Sequence, residues 1–359
     1  MPRSLLTRVE SISVEVYHEA DTPMTRFLQP GFFRIALATA VVLSHLSNFE
    51  IGRPAVFAFF ALSGFWVMRM YDEKYSKSGG AGVFFVSRWL RIWLPFAAAY
   101  LGFLIIQSAA FGNGDPGALR SLGILGIATT GIDVLGVSWS LDIELQFYLM
   151  VPMLWSAIRL IDARGHRPGP ILAAASLPLT LIGWWLGLGY GVWTLLAYLP
   201  GFLAGLLIWH SGWRPNLRDA LASAGMFVAA GVLVWLLPLT RAFLEKDTPT
   251  ILHEDWFGMA WIALLVPFIA YNVRQRSDWL DQHLGNYSYA LYITHWPVIW
   301  IVRHLIDASP AVEKLVALAA VGLVSLTFYL LVDRTAERLR QAYLGLRLPS
   351  AASRRSITT

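Results

Sequence analysis

The stretch FFRIALATAVVLSHLSNFE, Phe32 to Glu50, reads as a membrane-spanning helix that carries an arginine and a histidine. Arg34 and His45 are eleven residues apart. Eleven steps of about 100° make three turns plus roughly 20°, so the two side chains share one helix face. At 1.5 Å of rise per residue they stand roughly 16 Å apart along the axis, about half the hydrocarbon thickness. Ionisable residues at such depth are costly and face a cavity or a partner rather than lipid. The pair is therefore a candidate site on physical grounds alone.

The rest of the chain places that helix in a membrane protein. Of 359 residues, 56% are hydrophobic and 14% charged, whereas a soluble domain carries about 25% charged residues. Ten apolar stretches approach spanning length: 32–48, 54–71, 92–111, 141–161, 170–188, 191–210, 219–238, 256–273, 287–305 and 312–332. The fold class is thus all-α, a polytopic integral membrane protein with about ten transmembrane helices. The membrane domain, 32–333, lies between a short N-terminal arm, 1–31, and a basic tail, 334–359. The arm lacks the apolar core of a signal peptide. The tail reads as frayed or lying on the membrane surface.

Alternating sides along the chain puts 22 of the 28 Lys and Arg residues on the side of the N-terminus. The other side keeps Arg53, Arg120, Arg241, Lys246, Arg303 and Lys314. This asymmetry predicts cytoplasmic N and C termini. It also accounts for the isoelectric point near 9.5. The basic charge is a topology signal and an attraction for anionic membrane lipids, not a nucleic-acid footprint. There are no cysteines, which excludes disulfides, thiolate metal sites and an acyl-cysteine intermediate. The histidines are scattered, so no metal site is expected, and no HExxH, Walker or GxSxG motif occurs.

Each polar residue at membrane depth has a bland reading beside the functional one. Arg34, near the cytoplasmic end, can snorkel and mark topology. His45, in the outer half, can bond a helix carbonyl. In VSRWLRIWLP, Arg88 and Arg91 are three apart on one side of a helix start. They suit a phosphate-rich ligand through charge-assisted hydrogen bonds, or they are ordinary positive-inside charge. In VSWSLDIELQFYLMVP, Asp142 and Glu144 are about 200° apart around a helix, so they do not form a carboxylate pair. Glu144 shares a face with Tyr148 and, as a buried acid, needs a partner or a proton; His45, at similar depth, is the expected partner. Asp142 caps the helix start or faces the headgroups. In LGNYSYALYITHWPVIW, His295 falls near mid-bilayer among Tyr289, Tyr292 and Trp296, with a neighbouring helix as its bland partner. In FFALSGFW, Ser63 and Gly64 let helices approach closely.

Together these stretches resemble the acyltransferase-3 family of polytopic bacterial acyltransferases, over about Phe32 to Asp333. The Arg-x10-His pair is Arg34 and His45. FFxxSGF is matched by Phe59, Phe60, Ser63, Gly64 and Phe65. RxxR is Arg88 and Arg91. WSLxxExxFY-P is matched by Trp139, Ser140, Leu141, Glu144, Phe147, Tyr148 and Pro152. LGxxSYxxYLxHxP is matched by Leu284, Gly285, Ser288, Tyr289, Tyr292, His295 and Pro297. The sequence departs at RIALAT, where the family often has RGxAAL, and at Asp142, commonly Ser. The resemblance is to a stand-alone member, without the hydrolase-like domain fused to some relatives.

The resemblance implies O-acyl transfer from cytoplasmic acetyl-CoA to a hydroxyl of an extracytoplasmic glycan or lipid-linked saccharide, at the bacterial inner membrane. Acetyl-CoA is the acyl-donor substrate, and no metal is implied. Arg88 and Arg91, with Ser63 and Gly64, would bind the donor. His45 would be the general base, Glu144 its orienting partner, and Arg34 a guide for the donor. Trp139, Ser140, Tyr148, Tyr289, Tyr292 and His295 would support the site or meet the acceptor. A covalent acyl-Ser or acyl-His intermediate and direct transfer both stay open. The rival expectation is a transporter or flippase of a lipid-linked sugar that uses the same buried charges as a relay. It would lead one to expect repeat symmetry or paired broken helices, and the sequence has neither.

Overall fold

Apolar runs that start at proline or after a polar cap become helices here. Helix α1 (Pro30–Leu46) opens on Pro30, whose fixed φ suits the first helical turn and which has no N–H to satisfy. Helix α2 (Gly52–Met70) continues through a π turn, Tyr71–Tyr75. Then come α3 (Gly80–Phe111), α4 (Trp139–Ala163), α5 (Pro168–Tyr190), α6 (Leu195–Ser211) and α7 (Leu217–Leu236). The last are α8 (Glu254–Ala263), α9 (Val266–Asn272), α10 (Trp279–Leu305), α11 (Pro310–Phe328) and, after a second π turn, α12 (Arg334–Arg347). The structure, a computed structural model, describes residues 26–77, 80–112, 116–246 and 254–347. Among these there is no β-strand, only an isolated bridge between Phe49 and Glu245.

Six helices are long and apolar enough to cross a membrane, and a seventh span results if α8 and α9, bent by 58°, count as one. Helices α1 and α6 are apolar but have 17 residues each, and α10, at 27 residues, is more polar. Each of the ten expected stretches falls on one of these helices or on the bent pair. This is a multi-pass membrane architecture.

Three boundaries differ from expectation. Helix α3 begins at Gly80, not near residue 92, and α10 at Trp279, not 287. The apolar run of α3 is interrupted by Ser87, Arg88 and Arg91, and α10 opens on polar residues, of which buried Asp281 bonds the Phe32 amide. The chain after Asp333 is also not a frayed tail as far as it is described, since α12 runs to Arg347. Arg340, only 8% exposed, bonds Glu337 at 2.5 and 2.8 Å and donates to Ser87 Oγ of α3 at 2.9 Å. Internal partners thus replace the water a frayed tail would need. The arm up to residue 25 and the tail from 348, with Arg354 and Arg355, lie outside the described residues.

Two contacts position the site. Helices α1 and α10 run parallel. At their starts the Phe32 amide donates to Asp281 Oδ1 at 2.8 Å, and at their ends Arg303 Nη2 donates to the His45 carbonyl at 3.1 Å. Helices α2 and α6 meet through glycine. A Cβ on Gly64 would sit 2.0 Å from the Phe202 carbonyl oxygen, and one on Gly205 would sit 1.8 Å from that of Ala61. Only hydrogen fits at such distances, so the backbones themselves touch. Phe202 then stacks on Phe60 at 4.5 Å and Phe147 at 4.3 Å, which fills the centre of the bundle.

Candidate active site

A cavity of about 350 Å³ opens between α1, α2, α3, α4 and α10. It follows α2 from Met70 to Val56, a rise of about 21 Å. Among the described residues three arginines line it, Arg34 of α1 and Arg88 and Arg91 of α3, and one carboxylate, Glu144 of α4. Because α3 starts at Gly80, Arg88 and Arg91 stand two to three turns inside the bundle rather than at a helix start.

The charges are paired unevenly. Arg91 donates to Asp333 Oδ1 at 2.6 Å, and Asp333 is 2% exposed. The Arg91 guanidinium also lies over the Tyr289 ring, 5.4 Å from its centroid. Glu144 Oε1 accepts from Tyr148 at 2.5 Å and from Ser63 at 2.6 Å. Tyr148 is one helical turn from Glu144, so that bond follows from the i, i+4 spacing. Among the described residues, Arg34 and Arg88 make no hydrogen bond or ion pair. Arg88 Nε and Trp66 Nε1 are buried donors without an acceptor. A buried donor left unsatisfied costs about 1–3 kcal/mol. The cavity wall therefore favours an anionic, acceptor-rich occupant.

Two separate polar contacts of Tyr292, one of its hydroxyl and one of its carbonyl, mark the far end of the cavity. Ser140 Oγ and the Tyr292 hydroxyl are 2.7 Å apart. The Tyr292 carbonyl lies 2.6 Å from His295 Nδ1. A carbonyl can only accept, so Nδ1 carries the hydrogen, and Nε2 of the neutral ring keeps its lone pair. That Nε2 is buried without a partner. One step further the His45 ring lies 5.1 Å from the His295 ring and 4.9 Å from the Trp296 ring, centroid to centroid. Lys246 Nζ donates to the Ser44 carbonyl, closing this end of α1.

The structure brings most of the sequence-predicted residues to the cavity. Arg34, Ser63, Arg88 and Arg91 line it, and so do Ser140, Glu144 and Tyr148, with Tyr289 and Tyr292 opposite. Four residues stand elsewhere. His45 and His295 lie just beyond Tyr292. Gly64 is taken up by the α2–α6 contact, so it does not line the cavity. Trp139 packs on Phe60 and Tyr198, with centroids 6.4 and 5.5 Å away.

Two expected relationships are not formed. Glu144 bonds Ser63 and Tyr148, not His45, because the α2 hydroxyl and the same-helix phenol reach it. His295 is not deeper than His45; the two rings are neighbours, since α10 begins earlier than its apolar run. Asp142 is fully buried and holds the preceding loop. It accepts from the Gly126 and Ala128 amides at 3.0 and 2.9 Å and from Gln146 at 3.0 Å. Sequence reasoning missed Trp66 and Asp333. The available signals were an indole on the Ser63 helix and an acid closing an apolar run.

The model of the acyltransferase domain of the acyltransferase-3 family matches residues 27–333. Among curated relatives, a protein of Komagataeibacter xylinus named as a membrane-bound transacylase, BcsY, is 28% identical over 55% of this chain. Nodulation protein 10 of Rhizobium leguminosarum bv. viciae is 25% identical over 83% of this chain and 86% of its own length. Peptidoglycan O-acetyltransferase OatA of Listeria monocytogenes is 22% identical over 76% of this chain. The match spans about half the length of BcsY and of OatA. No solved structure matches the chain.

Proposed function

This chain belongs to the acyltransferase-3 family of membrane acyltransferases, and from that premise we propose that it moves an acetyl group from acetyl-CoA to a hydroxyl of a glycan or lipid-linked saccharide. The observation that carries the donor half of this reading is the cavity, where Arg34 and Arg88 form no ion pair among the described residues and Arg88 Nε lacks any acceptor. CoA is a polyanion with its thioester on a long flexible arm. Its phosphates meet the arginines, and its arm follows α2 toward Ser140 and Tyr292. Arg91, neutralised by Asp333, contributes position more than charge.

His45 is the general base in this reading. It takes the proton of the acceptor hydroxyl, and the oxygen attacks the thioester carbon. The C–O bond forms as the C–S bond breaks, and the leaving thiolate takes up a proton. A neutral imidazole suits this work because its free ring nitrogen can accept a proton. His295 is the next station, since its Nε2 holds a lone pair beside the His45 ring. Glu144 keeps Ser63 and Tyr148 fixed on the donor path. Charge asymmetry orients the protein with both termini in the cytoplasm and His45 toward the opposite face of the inner membrane. The donor then enters from the side on which it is made. Support for a carbohydrate acceptor is the relative named as a peptidoglycan O-acetyltransferase.

The test is label transfer by the purified protein in vesicles, with acetyl-labelled CoA on the cytoplasmic side and a panel of glycans on the other. Label on a glycan hydroxyl is expected. Absence of both transfer and CoA binding would overturn the reading.

A further inference from the structure

Outside the main cavity, near the end where α2 terminates, Arg69, Arg214 and Arg274 face a separate groove of about 340 Å³. Among the described residues Glu73 is the only acid lining it, against three arginines. Each arginine is held differently. Arg274 donates through Nε to the Trp213 carbonyl at 2.9 Å and through Nη2 to the Ile208 carbonyl at 3.0 Å. It thereby caps the carbonyl end of α6 and leaves Nη1 over. Arg69 gives Nε to Glu73 at 2.8 Å and keeps both terminal nitrogens. Among the described residues, Arg214 makes no hydrogen bond or ion pair. Burial first, then the nearby Arg214 and Arg69, push the Arg274 guanidinium below its ordinary range.

Three guanidiniums around one small space repel one another unless an anion joins them. A single carboxylate has two oxygens and is already supplied by Glu73. A phosphate group offers three terminal oxygens to several planar forks at once. We propose that this groove binds a phosphate group, presented by a lipid headgroup or by a soluble phosphate compound. The aromatic floor links it to the main cavity. Arg274 lies 5.5 Å over the Phe65 ring, Arg69 lies 5.6 Å over the Trp66 ring, and Trp66 also lines the main cavity. An occupant of the groove therefore bears on the wall of the cavity next to it.

The test titrates purified protein in detergent, at constant ionic strength, with dihexanoyl phosphatidic acid and separately with pyrophosphate. Arg214→Ala removes an exposed side chain with no bonding partner among the described residues, so its thermal midpoint should stay at the wild-type value. Phosphatidic acid should bind it about tenfold more weakly, as for loss of one charge-assisted contact. Arg69→Ala/Arg214→Ala should weaken binding further. Loss for both probes identifies a bare phosphate group as sufficient, and loss for phosphatidic acid alone identifies a headgroup. The main cavity is common to wild type and variants, so the difference reports on the groove. Arg218→Ala, an exposed arginine of α7 away from the lining, controls for net charge. The proposal fails if the wild type binds neither probe. It also fails if both variants bind as the wild type does, or if Arg218→Ala loses as much as Arg214→Ala.

Discussion

The rings of His45 and His295 lie 5.1 Å apart, although the residues stand on different helices and only His45 is half-exposed. The Tyr292 carbonyl fixes the tautomer of His295, so the pair presents one buried lone pair beside one accessible ring. His45→Ala should cut transfer by about 10²–10⁴, the usual range for a general base, while CoA binding and the melting midpoint stay near wild type. His295→Phe keeps the ring but deletes Nε2 and should also slow transfer, by a smaller factor. Single-turnover assays with labelled donor read both. Full activity in His45→Ala with a well-folded, inactive His295→Phe would move the base to α10.

Arg88 and Arg91 should separate cleanly. Arg88→Ala removes an unpaired group, so CoA affinity should fall about tenfold, the value of one hydrogen bond to a charged partner, with no loss of stability. Arg91→Ala strands Asp333, which is 2% exposed, and should cost about 3–5 kcal/mol. Arg91→Met/Asp333→Leu should recover most of that loss. Melting in detergent beside CoA titration checks both; equal stability effects at the two arginines would remove the distinction.

Glu144 is the single acid among the cavity lining. Glu144→Gln still accepts from Ser63 and Tyr148, yet takes the nearby negative charge from Arg34 and Arg88, while Arg91 keeps Asp333. The expected outcome is CoA binding at least as tight as wild type with slower turnover. Glu144→Ala, which leaves two hydroxyls without their acceptor, should lower the melting midpoint as well. Weaker CoA binding in Glu144→Gln would place the donor's anionic end away from this residue.

Gly205→Ala would put a methyl carbon 1.8 Å from the Ala61 carbonyl oxygen. Backbone cannot yield as a side chain does, so α2 and α6 must part, at about 1–3 kcal/mol. Ser63 is two residues from Ala61, so turnover should fall along with stability. An unchanged melting curve would show that the two helices tolerate a wider spacing.

Orientation rests on the distribution of arginine and lysine. Single cysteines placed in this cysteine-free chain should label from the cytoplasm near residue 276 and from the opposite side near residue 120. Reversed labelling would put the arginine end of the cavity away from the donor pool.

Local physics made much of this protein legible in the sequence. Apolar runs of spanning length announce helices in a membrane, because every backbone polar group must be satisfied inside its own segment there. The 3.6-residue period places Arg34 and His45 on one face, and both do face α10. The i, i+4 spacing likewise puts Tyr148 beside Glu144. Other relationships depend on the packing of helices distant in sequence. Asp333 meets Arg91 across 242 residues, and Ser63 meets Glu144 across 81. His45 finds His295, not Glu144, because α1 and α10 run parallel from Asp281 onward. No local pattern encodes these pairings. Which base a buried acid neutralises is decided where helices touch, and that is set by backbone contacts such as Gly64 on Phe202 and Gly205 on Ala61. Hydropathy also truncates α3, α10 and α12, since it scores polar residues such as Ser87, Asp281 and Arg340 against lipid, whereas in the folded chain these bond to protein.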